Sequence, residues 1–197
     1  YKQSLEDALT NARHLITVVC HPRPHADGRD YWTRPMLEAL GAWPDGIEVY
    51  NGHYGIEVAL ARGRQPLYTE FWDELLTAGH HLWGYANDDF HDPADFDNAF
   101  NMVLVDERSP TGVVRAAKAG RSYATTGLLL LSIQVEGNDI HVEVDAPCHG
   151  AFIGPGGQQL AEGEGRCFSY RAGDEAYVRF EGLGDSGRIF LQPLWAA

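Results

Sequence analysis

In His81-Leu82-Trp83-Gly84-Tyr85-Ala86-Asn87-Asp88-Asp89-Phe90-His91-Asp92-Pro93 an apolar run passes directly into polar side chains able to hold a metal ion. Residues 81–86 read as a buried strand, and the chemistry is expected where that strand ends. In an extended segment positions i and i+2 share a side, so Asp89 and His91 should reach one ion together while Phe90 turns away. A carboxylate beside an imidazole suits Zn, Mn or Fe, and Asp88 is placed to support both. The same residues also fit a plain polar turn, which Asp92-Pro93 favours.

Working towards the amino terminus, residues 65–78 form the best helical pattern in the chain, with Leu67, Phe71, Leu75 and Leu76 on one face and Gly79 as the stop. Before it, residues 46–50 read as a short strand, followed by Asn51 and His53. Residues 15–20 read as another buried strand, delivering His21-Pro22 and then the loop 23–28. Helices are predicted from the capping-box pattern at Ser4 to about His14, and from Arg34 to about Leu40. Towards the carboxy terminus, residues 102–105 are a short apolar strand. Ser109 and Pro110 begin a helix to about Lys118, Gly120 stops it, and residues 121–124 return as a strand. Strand and helix alternate with polar residues at strand ends, where parallel α/β folds keep their sites.

After Gly127 the pattern changes. Leu129, Leu131, Ile133 and Val135 alternate, Gly137-Asn138-Asp139 turns, and Ile140, Val142 and Val144 alternate again as a hairpin. Further strands at 150–153, 166–170, 176–181 and 188–191 are separated by glycine-rich turns. The expected class is α/β: part of a (β/α) barrel over residues 1–126, then a small antiparallel β-sandwich-like extension over 127–197.

The 197 residues are 44% hydrophobic and 11% aromatic, ample for a packed core. Fifteen basic against 28 acidic side chains leave a net charge of -13, which argues against a broad nucleic-acid face or binding to anionic membranes. A small anionic substrate fits only if metal ions reverse the local sign. Cys20, Cys148 and Cys167 form neither a disulfide framework nor a thiolate zinc pattern and are expected to be buried. No signal peptide or membrane span is visible, so a cytoplasmic location is favoured, although the chain opens at Tyr1 without an initiator methionine.

Among single residues, His21 is a candidate ligand, restricted to extended backbone by Pro22. Glu48 alternates onto the face opposite Ile47 and Val49. In a barrel interior it would need a cation or an arginine as partner, whereas on an edge strand it would be solvated. His25, His53, His80 and His81 are weaker candidates, and His141 and His149 are assigned no role. Gly154-Pro155-Gly156-Gly157 lacks the lysine and helix of a phosphate loop and reads as a hairpin turn.

Cys20-His21-Pro22, Ile47-Glu48-Val49-Tyr50-Asn51, the helix Phe71-Trp72-Asp73-Glu74-Leu75-Leu76-Thr77-Ala78-Gly79, then Gly84 to His91 and Gly120-Arg121-Ser122-Tyr123-Ala124-Thr125-Thr126-Gly127 resemble, in order, the carboxy-terminal half of the PHP superfamily. This is the polymerase and histidinol phosphatase group of metal-dependent phosphoesterases. The resemblance implies a distorted (β/α)7 barrel with two or three divalent ions, Zn, Mn or Fe, that activate water against a small phosphomonoester or nucleotide. It implies His21, Asp89 and His91 as metal ligands, Asp89 and His91 as catalytic, and Glu48, Asp88 and Asn51 as supporting or substrate-facing. The family's opening His-x-His motif has no counterpart before His21. The chain is therefore expected to be the carboxy-terminal portion of a longer protein, its open barrel edge covered by a missing amino-terminal segment or by another chain. Two alternatives accompany this reading: a hydrolase of a non-phosphate ester or carbamate on the same scaffold, and a non-catalytic half-barrel that only binds.

Overall fold

Gly46-Ile47-Glu48-Val49-Tyr50-Asn51 is a strand buried along its length apart from the half-buried Tyr50, as expected of a strand covered on both faces. In the computed structural model, which describes Asp7, Leu9 and residues 15–22 and 31–196, this strand is β2, the centre of a three-stranded parallel sheet. On one side lies β1 (Val18–Val19), with Val18 opposite Gly46. On the other lies β3 (Trp83–Asn87), with Gly46 opposite Trp83 and Asn51 opposite Asn87. The parallel sense brings the carboxyl ends of all three strands to one side, so the residues after β1, at the end of β2 and after β3 converge. Among the described residues β1 pairs only with β2.

Among the described residues, five short helices accompany the sheet: α1 (Arg34–Glu38), α2 (Gly52–Gly55), α3 (Glu57–Ala61), α4 (Thr69–Thr77) and α5 (Pro110–Lys118). The helix α4 packs Trp72, Leu75 and Leu76 into a core with Val19, Ile47, Val49 and Leu82, and the Trp72 indole N–H donates to the Leu82 carbonyl at 2.9 Å. Gly79 follows at φ +89°, the left-handed stop that the sequence predicts. The predicted helix from Ser4 to His14 lies outside the described residues except for Asp7 and Leu9, which are helical. The loop 23–28 with His25 lies outside them altogether. Among the described residues no helix is long and apolar enough to cross a membrane.

The expected (β/α)7 barrel is not formed. The strands predicted at 102–105 and 121–124 exist as β4 (Phe100–Val103) and β5 (Ser122–Thr125), but they pair antiparallel with each other. They continue into a curled antiparallel sheet with β6 (Leu130–Glu136), β7 (Asp139–Gly154), β8 (Gln158–Arg171), β9 (Tyr177–Gly184) and β10 (Gly187–Leu191), in the order β4-β5-β10-β9-β7-β6 with β8 on β7. A last strand, β11 (Leu194–Trp195), pairs with β9. The long β7 carries β8 along one edge, and its two halves meet β6 and then β9 along the other.

The physical reason is visible at the outer edge of β3. Barrel growth needs a fourth strand there, but Gly84 and Ala86 bond to side-chain amides. Gly84 N–H donates to Gln192 Oε1 and its carbonyl accepts from Gln192 Nε2, both at 2.8 Å. Ala86 is bonded in the same way by Asn101 of β4, at 2.9 and 2.6 Å. Two amides thus satisfy the backbone groups that would otherwise template another strand.

A buried ion pair locks α4 to the antiparallel sheet. The Arg179 guanidinium of β9 donates from Nε to Asp73 Oδ1 at 2.7 Å and from Nη2 to Oδ2 at 2.5 Å. Tyr177 donates to the same carboxylate, and Glu181 also accepts from Arg179. Of the cysteines, Cys148 is buried as expected. Cys20 and Cys167 are exposed, and none of the three is in a disulfide.

Candidate metal centre

Three non-glycine residues among those described adopt left-handed backbone: His21 and Asp89, directly after β1 and β3 and both at φ +53°, and Asp97 in the following loop at φ +65°. Each costs about 1–3 kcal/mol, and such strain concentrates where a site needs a particular side-chain direction. For His21 this overturns the extended conformation predicted from Pro22. Its backbone N–H donates instead to Glu48 Oε2 at 2.9 Å, which fixes the turn. For Asp89 it breaks the i, i+2 alternation that was expected to align Asp89 with His91, since β3 already ends at Asn87.

The fold nevertheless sets Asp89 beside each of the other two predicted ligands, although among the described residues the three do not form one compact group of ligand atoms. Asp89 Oδ2 lies 3.7 Å from His21 Nε2, and Asp89 Oδ1 lies 3.9 Å from His91 Nδ1, so the carboxylate stands between the two imidazoles. Donors of these types bind Zn at about 2.0–2.2 Å. His21 Nε2 and Asp89 Oδ2, under 4 Å apart, can therefore share an ion with little movement, whereas His91 Nδ1 is engaged by the Asp89 carbonyl at 2.5 Å. Phe90, between the ligands, is 59% exposed.

Glu48 is fully buried at the centre of the sheet, which settles the choice between interior and solvated edge. Its partners are neutral: the His21 N–H, Asn87 Nδ2 at 3.2 Å and Asn51 Nδ2 at 3.3 Å, with the His21 ring 3.7 Å away. The arginine or cation expected from sequence is not among them. Burial pushes its carboxyl above the ordinary range, and these donors only partly offset that. Asn51, also buried, joins the parts of the site. Its Nδ2 donates to Asp89 Oδ2 at 3.1 Å and to Glu48, while its Oδ1 accepts the Tyr54 N–H at 2.9 Å and caps α2.

Asp88 does other work than support Asp89 and His91. Its carboxylate accepts the backbone N–H groups of Asp97, Asn98 and Ala99, and its carbonyl accepts the His53 N–H at 2.8 Å. It thereby holds the 92–99 loop and its 3-10 turn, Pro93–Asp95, against the start of α2. That loop presents Asp95, which composition and spacing did not single out. Asp95 Oδ1 lies 2.7 Å from His53 Nδ1, and His53, one of the weaker candidates, is stacked obliquely beside His91 with ring centroids 4.8 Å apart. His53, His91 and Asp95 each place one ligand-type atom within 4.8 Å of the others. The Asp92-to-Asp95 capping spacing was the signal for the turn, but nothing local pointed across 42 residues to His53.

His80 stacks on Trp43 and His81 on Trp195, away from these groups. His141 and His149 bond Ser169 and Glu162 within the antiparallel sheet. The Tyr31 and Tyr54 rings flank His21 at 5.6 and 6.0 Å, and the Arg64 guanidinium lies 5.1 Å from the Tyr54 ring.

No family model, curated protein or solved structure matches the chain. The resemblance to the PHP superfamily rests on the quoted motifs alone.

Proposed function

We propose that this chain carries the site of a divalent-metal-dependent hydrolase acting on a phosphate ester of a small molecule. The observation that supports it is Asp89 Oδ2 standing 3.7 Å from His21 Nε2, on backbone strained at both residues, with the His91 ring on the other side of the same carboxylate. A bound divalent ion would supply an activated water and the positive charge that a phosphate needs beside Glu48, Asp89 and Asp95.

The chain's own groups then have separate tasks. His21, Asp89 and His91 hold the ion. Asn51 orients Asp89 through its Nδ2 and keeps Glu48 and Asp89 apart by donating to both. Tyr31 and Tyr54 pack against His21 from two rings, and the Arg64 guanidinium over Tyr54 adds a positive charge near the site.

The test is hydrolysis by the purified protein loaded with Mn or Zn, over a panel of phosphomonoesters, nucleotides, carboxylic esters and carbamates. Phosphate release that Asp89→Asn abolishes, in a variant that still folds, is the expected result. Undiminished activity in that variant, or turnover of carboxylic esters or carbamates alone, would overturn the assignment.

A further inference from the structure

His53 and His91 share a hydrogen-bonding arrangement that fixes where each keeps its proton. His91 Nδ1 lies 2.5 Å from the Asp89 carbonyl oxygen, and His53 Nδ1 lies 2.7 Å from Asp95 Oδ1. A carbonyl oxygen only accepts, so His91 Nδ1 is the N–H. Asp95 acts in the same sense. Its other oxygen already accepts the His91 and Asp92 backbone N–H groups, as a carboxylate does, so Asp95 Oδ1 meets His53 Nδ1 as an acceptor. In their neutral forms both imidazoles therefore carry the proton on Nδ1 and a free lone pair on Nε2.

Asp95 itself has little left to offer an ion. Its Oδ1 is taken by His53, its Oδ2 accepts the His91 and Asp92 backbone N–H groups at 2.8 and 3.0 Å, and its side chain has no exposed surface. Metal-binding histidines characteristically give their second ring N–H to a carboxylate or a backbone carbonyl, which sets the tautomer and raises the basicity of the ligating nitrogen. One histidine of this pair has the first arrangement and its neighbour has the second.

We propose that His53 is a metal ligand, acting through Nε2 alongside His91, and that Asp95 is not a ligand but the buried carboxylate that orients His53. This rests on the metal site proposed above and extends it from one side of Asp89 to the other. The support is built in. Asp88 ties the His53 N–H to the loop carrying Asp95, and Asn51 caps the turn on which His53 sits, so the pair is organised before any ion arrives. Two neutral imidazoles beside a carboxylate suit Zn, Mn or Fe rather than Mg or Ca.

Long-range proton–nitrogen NMR of the 15N-labelled full chain, without and with Zn2+, reads each histidine separately. The expected result is the Nδ1–H tautomer for both His53 and His91 before zinc, and a zinc-induced shift of Nε2 in both. Shifts at His21 and His91 with His53 unmoved would overturn this inference and leave the proposed function standing. No zinc-dependent shift at any of the three would overturn both. In a parallel titration Asp95→Asn, checked for folding by its amide spectrum, should lower zinc affinity about 10–100-fold. Unchanged affinity would overturn the positioning role of Asp95.

Discussion

Gln192 bonds both backbone groups of Gly84 with its side-chain amide, across 108 residues of sequence. It acts as a one-residue strand, and with Asn101 on Ala86 it closes the edge of β3. Replacing Gln192 by Ala leaves a buried N–H and a buried C=O without partners. Each such group costs about 1–3 kcal/mol, so Gln192→Ala should lose about 2 kcal/mol or more in urea unfolding. A loss within experimental error would mean that this edge is not what holds the two sheets together.

The Asp73–Arg179 pair makes a larger demand. Both side chains are buried, and the Arg179 pKa is raised by its carboxylate partners, with Glu181 the largest contributor, against the opposing effect of burial. Asp73→Ala would strand a guanidinium against Trp72 with only Glu181 to compensate. The expected cost is about 3–5 kcal/mol, measured by the same denaturant titration.

Gly84 lies in β3 because nothing larger fits. A Cβ there would come within 2.7 Å of the Trp72 ring and 3.0 Å of Val49. Gly84→Ala should destabilise by about 1–3 kcal/mol through overpacking, and Gly84→Val by more.

Acid should act on Asp95 and Glu48 with opposite signs. The Asp95 carboxyl is held at about 2 in the fold, against about 3.9 for an unfolded aspartate. Its contribution is thus fully present above about pH 4 and is lost as pH falls through about 2. The stability gap between the wild type and Asp95→Asn should therefore be flat near neutrality and close over that acid window. A gap independent of pH would contradict the assignment. Glu48 is raised by burial, so what it contributes is present below the unfolded glutamate value and is lost as pH rises.

What was legible in the sequence was local. Ser109, Pro110 and Gly120 bound α5 as their capping chemistry predicts, and the alternating runs on either side of Gly137 and Asn138 form the β6–β7 hairpin. Residues 46–50 lie in β2 and residues 83–86 of the predicted 81–86 run lie in β3, because buried parallel strands need near-continuous apolar runs. The failure lay in how many strands join them. That depends on what covers the far edge of β3, and amides at Asn101 and Gln192 leave no periodicity to read. Likewise His21, Asp89 and His91 were picked out as residue types at strand ends, but the left-handed turns that aim two of them were not legible. The pairing of His53 with Asp95 exists only once the 92–99 loop folds back on α2.

Whether Asp89 organises a divalent-metal site is tested most directly by thermal unfolding against Zn2+ concentration. An ion that binds only the folded chain should raise stability by about 2.7 kcal/mol at a hundredfold excess over Kd, or roughly 5–10 °C in Tm for a chain of this size. That rise is expected in the wild type and its loss in Asp89→Asn; a Tm indifferent to zinc, or an equal rise in both proteins, would contradict the assignment.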